Sequence, residues 1–183
     1  SWNWTSCEGK VMKVNVYSRS PKVKLYLNDK LIGEKETGKE NYTATFDVPY
    51  EPGTLKAVNS KGKEEFVLKT AGAPAAIRLI ADRSKIKACK NDLSYVKIEL
   101  VDKNGNVVPE TSLPVKIECT GKGTVIAGGN AAYADMESFR SLTPNTFRGK
   151  AIAIVQPDGE KGDIQVKVSA KGLEDASIVI TAY

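Results

Sequence analysis

The sequence predicts an all-β protein of two tandem immunoglobulin-like β-sandwich domains, and three observations carry this prediction. Apolar and polar residues alternate in run after run along the chain, which is the period of a half-buried strand. Turn residues such as Pro52-Gly53 and Asn104-Gly105 separate these runs at short intervals. The length of 183 residues fits one large domain or two small ones.

The first part of the chain contains six predicted strands and no window with the 3.6-residue period of a helix. Asn28-Asp29-Lys30 lies between two alternating runs and indicates a hairpin. Pro49 and Pro52-Gly53 interrupt a later run. The strands are expected at residues 12–16, 23–27, 31–33, 42–48, 55–58 and 65–69.

A linker is expected at residues 70–75, because these residues are small and uncharged and include residues that break helices and strands. This places a small sandwich at residues 1–70 and a larger one at residues 71–183. The larger part contains seven or eight short alternating runs, the number typical of an immunoglobulin-like sandwich. Its one long irregular segment is 127–145, with a single helical turn expected at 136–140; loops of this length are usually functional or mobile.

Composition excludes several classes of function. The chain has no histidine, so it lacks the commonest general base and the commonest zinc ligand. Ser-His-Asp and Cys-His catalysis within this chain are both excluded. The net charge of +5 is mild and lysines are interleaved with glutamates, which argues against nucleic-acid binding. No apolar run approaches the roughly 18 residues of a membrane span, and no cofactor is indicated.

The three cysteines, Cys7, Cys89 and Cys119, are too far apart in sequence for a CxxC zinc motif. Cys89 and Cys119 share the second domain and could meet across the sandwich, but spacing alone does not establish a disulfide. Free buried thiols are the favoured interpretation. An odd and low count is also poor evidence for an oxidising compartment.

No catalytic residue is predicted, because no carboxylate pair is distinguished by burial or by its neighbours. Asp135 and Glu137 share the irregular segment and are the only, weak, candidates for a metal site. The turn at 102–106 lacks the spacing of a calcium loop.

Four aromatic residues are candidate binding residues. Trp2 and Trp4 are the only tryptophans; they suit either packing against a preceding domain or stacking on a sugar ring. Tyr17 and Tyr26 occupy the polar phase of their strands and could form an exposed strip for a glycan or a neighbouring domain. Tyrosine is also common on ordinary sheet faces, since it has a high β-propensity.

A family resemblance emerges from the order and spacing of several segments. The chain resembles the β-sandwich domains that follow the catalytic barrel in bacterial, Bacteroidetes-type β-galactosidases of glycoside hydrolase family 2. Each motif alone is only a turn signal, but their order and spacing are specific, and the resemblance extends over nearly the whole chain. The matching segments are residues 2–4 (Trp-Asn-Trp), 14–18, 23–33 and 48–58 in the first half, and 72–77, 92–96, 102–109 and 147–151 in the second. The family's usual Asp-Pro pair is absent from the loop at 128–139, so no binding role is carried over to it.

The resemblance implies that this chain is a non-catalytic piece of a longer glycosidase. Its partner would be the upstream catalytic domain of the same chain, and an oligomer contact and a carbohydrate partner both stay open. The absence of an initiating methionine and of a leader sequence agrees with an excised piece. Family analogy implies a periplasmic or cell-surface location. The alternatives are a carbohydrate-binding module that uses exposed Trp and Tyr, and a cell-surface adhesin or spacer.

Overall fold

The structure is a computed structural model that describes residues 1–183, and it consists of fourteen strands without a helix. The predicted all-β class is confirmed. No helix that could cross a membrane is present. The chain divides into two compact units, Ser1–Ala71 and Gly72–Tyr183. We call them unit 1 and unit 2.

Unit 1 is a sandwich of one four-stranded and one two-stranded antiparallel sheet. The larger sheet has the order β3-β2-β5-β6, and the smaller one pairs β1 with β4. The strands are β1 (Val11–Tyr17), β2 (Lys22–Leu27), β3 (Lys30–Glu36), β4 (Thr43–Pro49), β5 (Thr54–Asn59) and β6 (Glu65–Lys69).

The hairpin between β2 and β3 forms where the sequence predicts it. Asn28 and Asp29 have φ angles of 49° and 63°, the left-handed pair of a type I′ turn, which Asn and Asp tolerate. The Asn28 side chain fastens this turn to the start of β5, because its Oδ1 accepts the Thr54 N–H at 2.8 Å.

The core of unit 1 lies between the two sheets. Its fully buried side chains include Leu25, Phe46 and Val48, and these occupy every second position of their strands, as the alternation predicts. The two-stranded sheet is narrower than the sheet it covers. Part of the inner face of β5 and β6 is therefore uncovered beside β1.

Unit 2 is a sandwich of two four-stranded sheets, with the orders β11-β12-β9-β7 and β10-β13-β14-β8. All pairings are antiparallel except that of β8 with β14. Aliphatic side chains from both sheets, such as Ile98 and Val166, fill its core. The strands are β7 (Ala76–Ala81), β8 (Lys85–Ile86), β9 (Ser94–Val101), β10 (Val115–Gly121), β11 (Gly123–Gly129), β12 (Lys150–Pro157), β13 (Gly162–Ala170) and β14 (Ala176–Ala182).

Two expectations for unit 2 are wrong. Residues 136–140 form turns and bends and no helical turn, because side chains satisfy the local backbone: the Asp135 carboxylate accepts the Glu137 N–H at 2.9 Å and the Ser138 hydroxyl accepts the Arg140 N–H at 3.2 Å. The irregular segment also begins later than expected, since Gly128 and Gly129 belong to β11.

The three cysteines are free thiols. Cys7 and Cys119 are half-buried, whereas Cys89 is exposed. The expectation of buried thiols is therefore wrong for Cys89, which lies in the turn after β8 and outside both core layers.

Candidate functional site

The two tryptophans have different environments despite their closeness in sequence. Trp2 is 4% exposed, its indole Nε1 donates to the Glu51 carbonyl at 2.9 Å, and its ring centroid lies 5.2 Å from that of Tyr50. Its backbone N–H also donates to the Lys69 carbonyl at 3.0 Å. Trp4 is 51% exposed. Only Trp4 therefore presents its ring to solvent, and Trp2 is a core residue of unit 1.

The two candidate tyrosines lie on different sheets. Tyr17 ends β1 and is exposed, whereas Tyr26 is half-buried on β2 and has the Lys56 ammonium 5.5 Å from its ring centroid. Both alternate with core residues, so each occupies the outer phase of its own sheet. The outer faces of the two sheets lie on opposite sides of the sandwich, and these tyrosines do not form one strip.

A polar network shapes the loop between β11 and β12, which we call the 130–145 loop. The Asn130 amide donates to the Asp135 carboxylate at 2.5 Å and to the Asn145 carbonyl at 2.9 Å. The Asn145 amide donates to the Glu137 carboxylate at 2.9 Å. Asp135 and Glu137 thus both hold the loop in shape, and neither belongs to a group of three or more metal-binding side chains, of which the chain has none.

Backbone hydrogen bonds fix the second half of the 130–145 loop along the neighbouring strands. The Gly128 N–H donates to the Phe139 carbonyl at 2.7 Å, and the Ile117 N–H donates to the Leu142 carbonyl at 2.8 Å. Gly129 permits the close approach of the Phe139 ring, whose nearest carbon would lie 2.9 Å from an added Cβ. The second half of the loop is therefore fixed against β10 and β11.

The same loop exposes large apolar side chains. Tyr133 is 99% exposed, Met136 95% and Phe139 70%. Single exposed apolar residues are ordinary, but three within seven residues of one shaped loop are typical of an interaction surface. The space beneath the loop is only about 30 Å³, far below the several hundred Å³ of a small-molecule pocket. The loop is therefore suited to meeting another protein surface and not to enclosing a ligand.

A second apolar surface lies in unit 1, beside β1. It is a groove of about 300 Å³, which we call the β1 groove. Val14 and Val16 of β1 form one wall, Tyr17 lies at the end of this wall, and the inner faces of β5 and β6 form the floor. The floor residues are Leu55, Ala57, Phe66 and Leu68.

The sequence pattern indicates the carboxylates of the 130–145 loop as candidates, but not Tyr133, Met136 and Phe139. Three large apolar residues in an otherwise polar loop are nevertheless a pattern that can indicate an interaction surface. The β1 groove has no comparable signal, because it results from the unequal numbers of strands in the two sheets.

Two family models match this chain, one in each unit. Residues 77–179 match the family model of glycoside hydrolase family 2 C-terminal domain 5, and residues 9–66 match a domain of unknown function, DUF4982. A β-galactosidase of Bacteroides ovatus, BoGH2A, is 32% identical over 99% of this chain, and a β-glucuronidase of Formosa agariphila is 28% identical over 98%. The aligned region makes up 22% and 18% of those two proteins, so the chain spans about a fifth of their length.

Solved structures also match this chain over nearly its whole length. A glycosyl hydrolase family 2 member from Bacteroides cellulosilyticus superposes with a TM-score of 0.93 at 38% identity, over all of this chain and 24% of that one. A β-glycosidase from Bacteroides vulgatus gives 0.91 at 27% identity, over 99% of this chain and 24% of that one.

Proposed function

The chain belongs to the glycoside hydrolase family 2 C-terminal domain 5 family, and from this membership we propose that it is the non-catalytic C-terminal accessory region of a β-galactosidase-like glycosidase. In this role it packs on the catalytic part of the same polypeptide. The parent protein hydrolyses O-glycosyl bonds and is exported to the periplasm or cell surface.

The observation that carries the proposal is the share of each relative that the chain covers. Almost all of this chain aligns with about a fifth of a β-galactosidase and of a β-glucuronidase. Two relatives with different sugar specificities thus share this region, which favours a role common to both enzymes over a role in choosing the sugar. Retaining and inverting glycosidases need two carboxyl groups flanking the scissile bond. The carboxylates of the 130–145 loop are instead engaged by the amides of Asn130 and Asn145.

The 130–145 loop is the surface we assign to contact with the catalytic part. Tyr133, Met136 and Phe139 project from a loop fixed by hydrogen bonds. A shaped, partly apolar surface loses little conformational freedom when it docks, which favours a stable contact between domains. Aromatic and methionine side chains are also the residues enriched at the centres of protein interfaces.

The proposal is tested with the isolated 183-residue chain and with the protein encoded by its complete reading frame. We expect no turnover of nitrophenyl β-galactoside or β-glucuronide by the isolated chain. In the parent protein, the double variant Tyr133→Asp/Phe139→Asp should lower the temperature at which activity is lost. The same substitutions should leave the melting temperature of the isolated chain unchanged, because neither ring is buried in it.

Tyr183→Asp, a charge placed on an exposed tyrosine outside the loop, is the matched control and should have no effect in either protein. Turnover by the isolated chain would refute the accessory role. A reading frame that encodes further sandwich repeats in place of a catalytic barrel would refute it in favour of a surface spacer. Binding of millimolar galactose or glucuronate by the isolated chain would support the carbohydrate-binding module instead.

A further inference from the structure

The β1 groove lies next to a strand edge that has no partner. The smaller sheet of unit 1 contains only β1 and β4, so β1 has one open edge. Proteins usually protect such edges with prolines, bulges or several charges. β1 is seven residues long, pairs with β4 without a bulge, and carries Lys13 as its only charge.

Hydrogen bonds at both ends of β1 reveal which backbone groups face the open edge. The Tyr50 N–H donates to the Lys10 carbonyl and the Ser18 N–H donates to the Tyr42 carbonyl, both at 2.9 Å. Hydrogen-bonded pairs alternate along an antiparallel ladder, so the even-numbered residues of β1 face β4. The N–H and C=O groups of Val11, Lys13, Asn15 and Tyr17 therefore face the open edge.

A strand added beside β1 would also contact the floor of the groove. A strand added at about 4.8 Å from β1 would lie above the inner face of β5 and β6. Its alternate side chains would then contact Phe66 and Leu68, as those of β1 contact the core. Phe66 is one of the exposed large apolar residues of the chain, and such a strand would cover it.

Charges at the two ends of the groove favour one direction of the added strand. The groove continues past Tyr17 into a space lined by Glu64 and Glu65. The exposed Lys10 precedes β1 at its other end. An antiparallel strand would begin at the acidic end and finish at the basic end. Its first residue should accordingly be basic and its last acidic.

We propose that the open edge of β1 and the β1 groove bind an extended polypeptide segment as an added antiparallel strand. The segment is basic at its N-terminal end, apolar at alternate positions and acidic at its C-terminal end. This is the β-augmentation mode of peptide recognition, in which main-chain hydrogen bonds supply affinity and alternate side chains supply specificity. The inference concerns unit 1 and does not depend on the assignment of the 130–145 loop.

Other occupants fit this surface less well. If β1 paired with β1 of a second copy, the smaller sheets of the two copies would join. The four-stranded sheets beneath them would then collide, because β6 of each copy extends beyond its β1. A sugar needs several convergent polar groups, whereas the walls and floor of the groove are almost wholly apolar.

The test uses the isolated chain and the peptide Lys-Val-Thr-Val-Thr-Val-Glu, with calorimetric titration and amide hydrogen exchange. We expect saturable binding and slower exchange at the amides of Val11, Lys13, Asn15 and Tyr17, with no change at the amides that face β4. The peptide with its two terminal residues exchanged should bind roughly tenfold more weakly, because two favourable end contacts become unfavourable.

Variants of the edge and the floor complete the test. Asn15→Pro removes one N–H from the open edge while leaving the pairing with β4, a position where strands tolerate proline, and should weaken binding at least about tenfold. Asn15→Thr, which keeps the N–H, should bind like the wild type. Phe66→Asp changes only an exposed floor residue and should also weaken binding at least about tenfold, so the proposal stays testable if the proline variant is unstable.

Several results would overturn this assignment. They are equal binding of both peptides, protection confined to other strands, and dimerisation of the chain that Asn15→Pro abolishes. Saturable binding of a galactoside that the peptide displaces would also overturn it.

Discussion

The carboxylate of Asp102 accepts a hydrogen bond from the backbone N–H of Gly72 at 2.9 Å and so joins the first residue of unit 2 to the turn that follows β9. The same buried carboxylate accepts the N–H groups of Asn104 and Asn106 at 2.9 and 2.8 Å. The Gly72 N–H above all, followed by the Asn106 side chain and the turn backbone, lowers the pKa of Asp102 from 3.8 to about 2.

This network predicts a pH dependence of stability. Folding lowers the pKa of Asp102, so the ionised carboxylate stabilises unit 2 above the unfolded value of 3.8 and loses this effect as the pH falls through about 2. Asp102→Asn, which removes the charge and one acceptor, should melt at a lower temperature than the wild type at pH 7. The two melting temperatures should converge as the pH approaches 2, as followed by circular dichroism. Asp47→Asn, on the exposed side of β4, is the control and should melt like the wild type at pH 7.

Trp2 and Trp4 should differ sharply in their effect on stability. Trp2→Ala removes a buried ring, its hydrogen bond to Glu51 and its contact with Tyr50, and should lower the free energy of unfolding of unit 1 by about 3–5 kcal/mol. Trp4→Ala should cost less than about 1 kcal/mol, since the ring is half exposed. Urea unfolding measures both. In the single-tryptophan proteins, Trp2 should emit at the shorter wavelength; similar emission from both would contradict the assigned burial.

Arg78 should matter because it neutralises a buried carboxylate. Glu99 is 5% exposed, and one of its oxygens accepts hydrogen bonds from Arg78 Nε and Nη2 at 2.9 and 2.6 Å. Arg78→Met leaves this charge with only Lys150, whose Nζ lies 3.8 Å away, and should destabilise unit 2 by about 2 kcal/mol. The double variant Arg78→Met/Glu99→Met should regain most of that loss. A double variant less stable than the single one would show that the ion pair itself, and not the unpaired charge, dominates.

The free thiols should react at different rates. Cys89 is exposed, whereas Cys119 is half-buried and burial raises the pKa of its thiol, which lowers its thiolate fraction at neutral pH. A thiol reagent should therefore modify Cys89 first in the native chain and all three cysteines after denaturation. Mass spectrometry of the time course identifies the order. Detection of only one reactive thiol after denaturation would instead indicate a disulfide.

The sequence predicts the strands of this fold well, because each has a local signature. The run expected at 42–48 is β4, Thr43–Pro49, shifted by one residue because Tyr42 adopts a left-handed φ of 52°. The expected helical turn at 136–140 fails for a local reason too. Asp135 and Ser138 bond to the backbone two residues later, and such side chains compete with helical hydrogen bonds.

The candidate sites were less predictable, because long-range contacts determine them. Trp2 and Trp4 share the same local sequence, and contacts with residues distant in the sequence, such as Tyr50 and the carbonyls of Glu51 and Lys69, make Trp2 a core residue. The β1 groove depends on how many strands each sheet recruits, which no local pattern records. Exposure of Tyr133 likewise follows from the network around Asn130, whose partners are separated along the chain.

The parallel pairing of β8 with β14 has a consequence for the order of folding. Lys85 and Ile86 find their partners in Thr181 and Ala182, and the Tyr183 N–H donates to the Ile86 carbonyl at 3.0 Å. A nascent chain therefore cannot complete this sheet until β14 has left the ribosome. Contacts between such distant residues also slow folding. Until then Lys85 and Ile86 have no strand partner, and unpaired strands of this kind make a partly folded chain prone to aggregation.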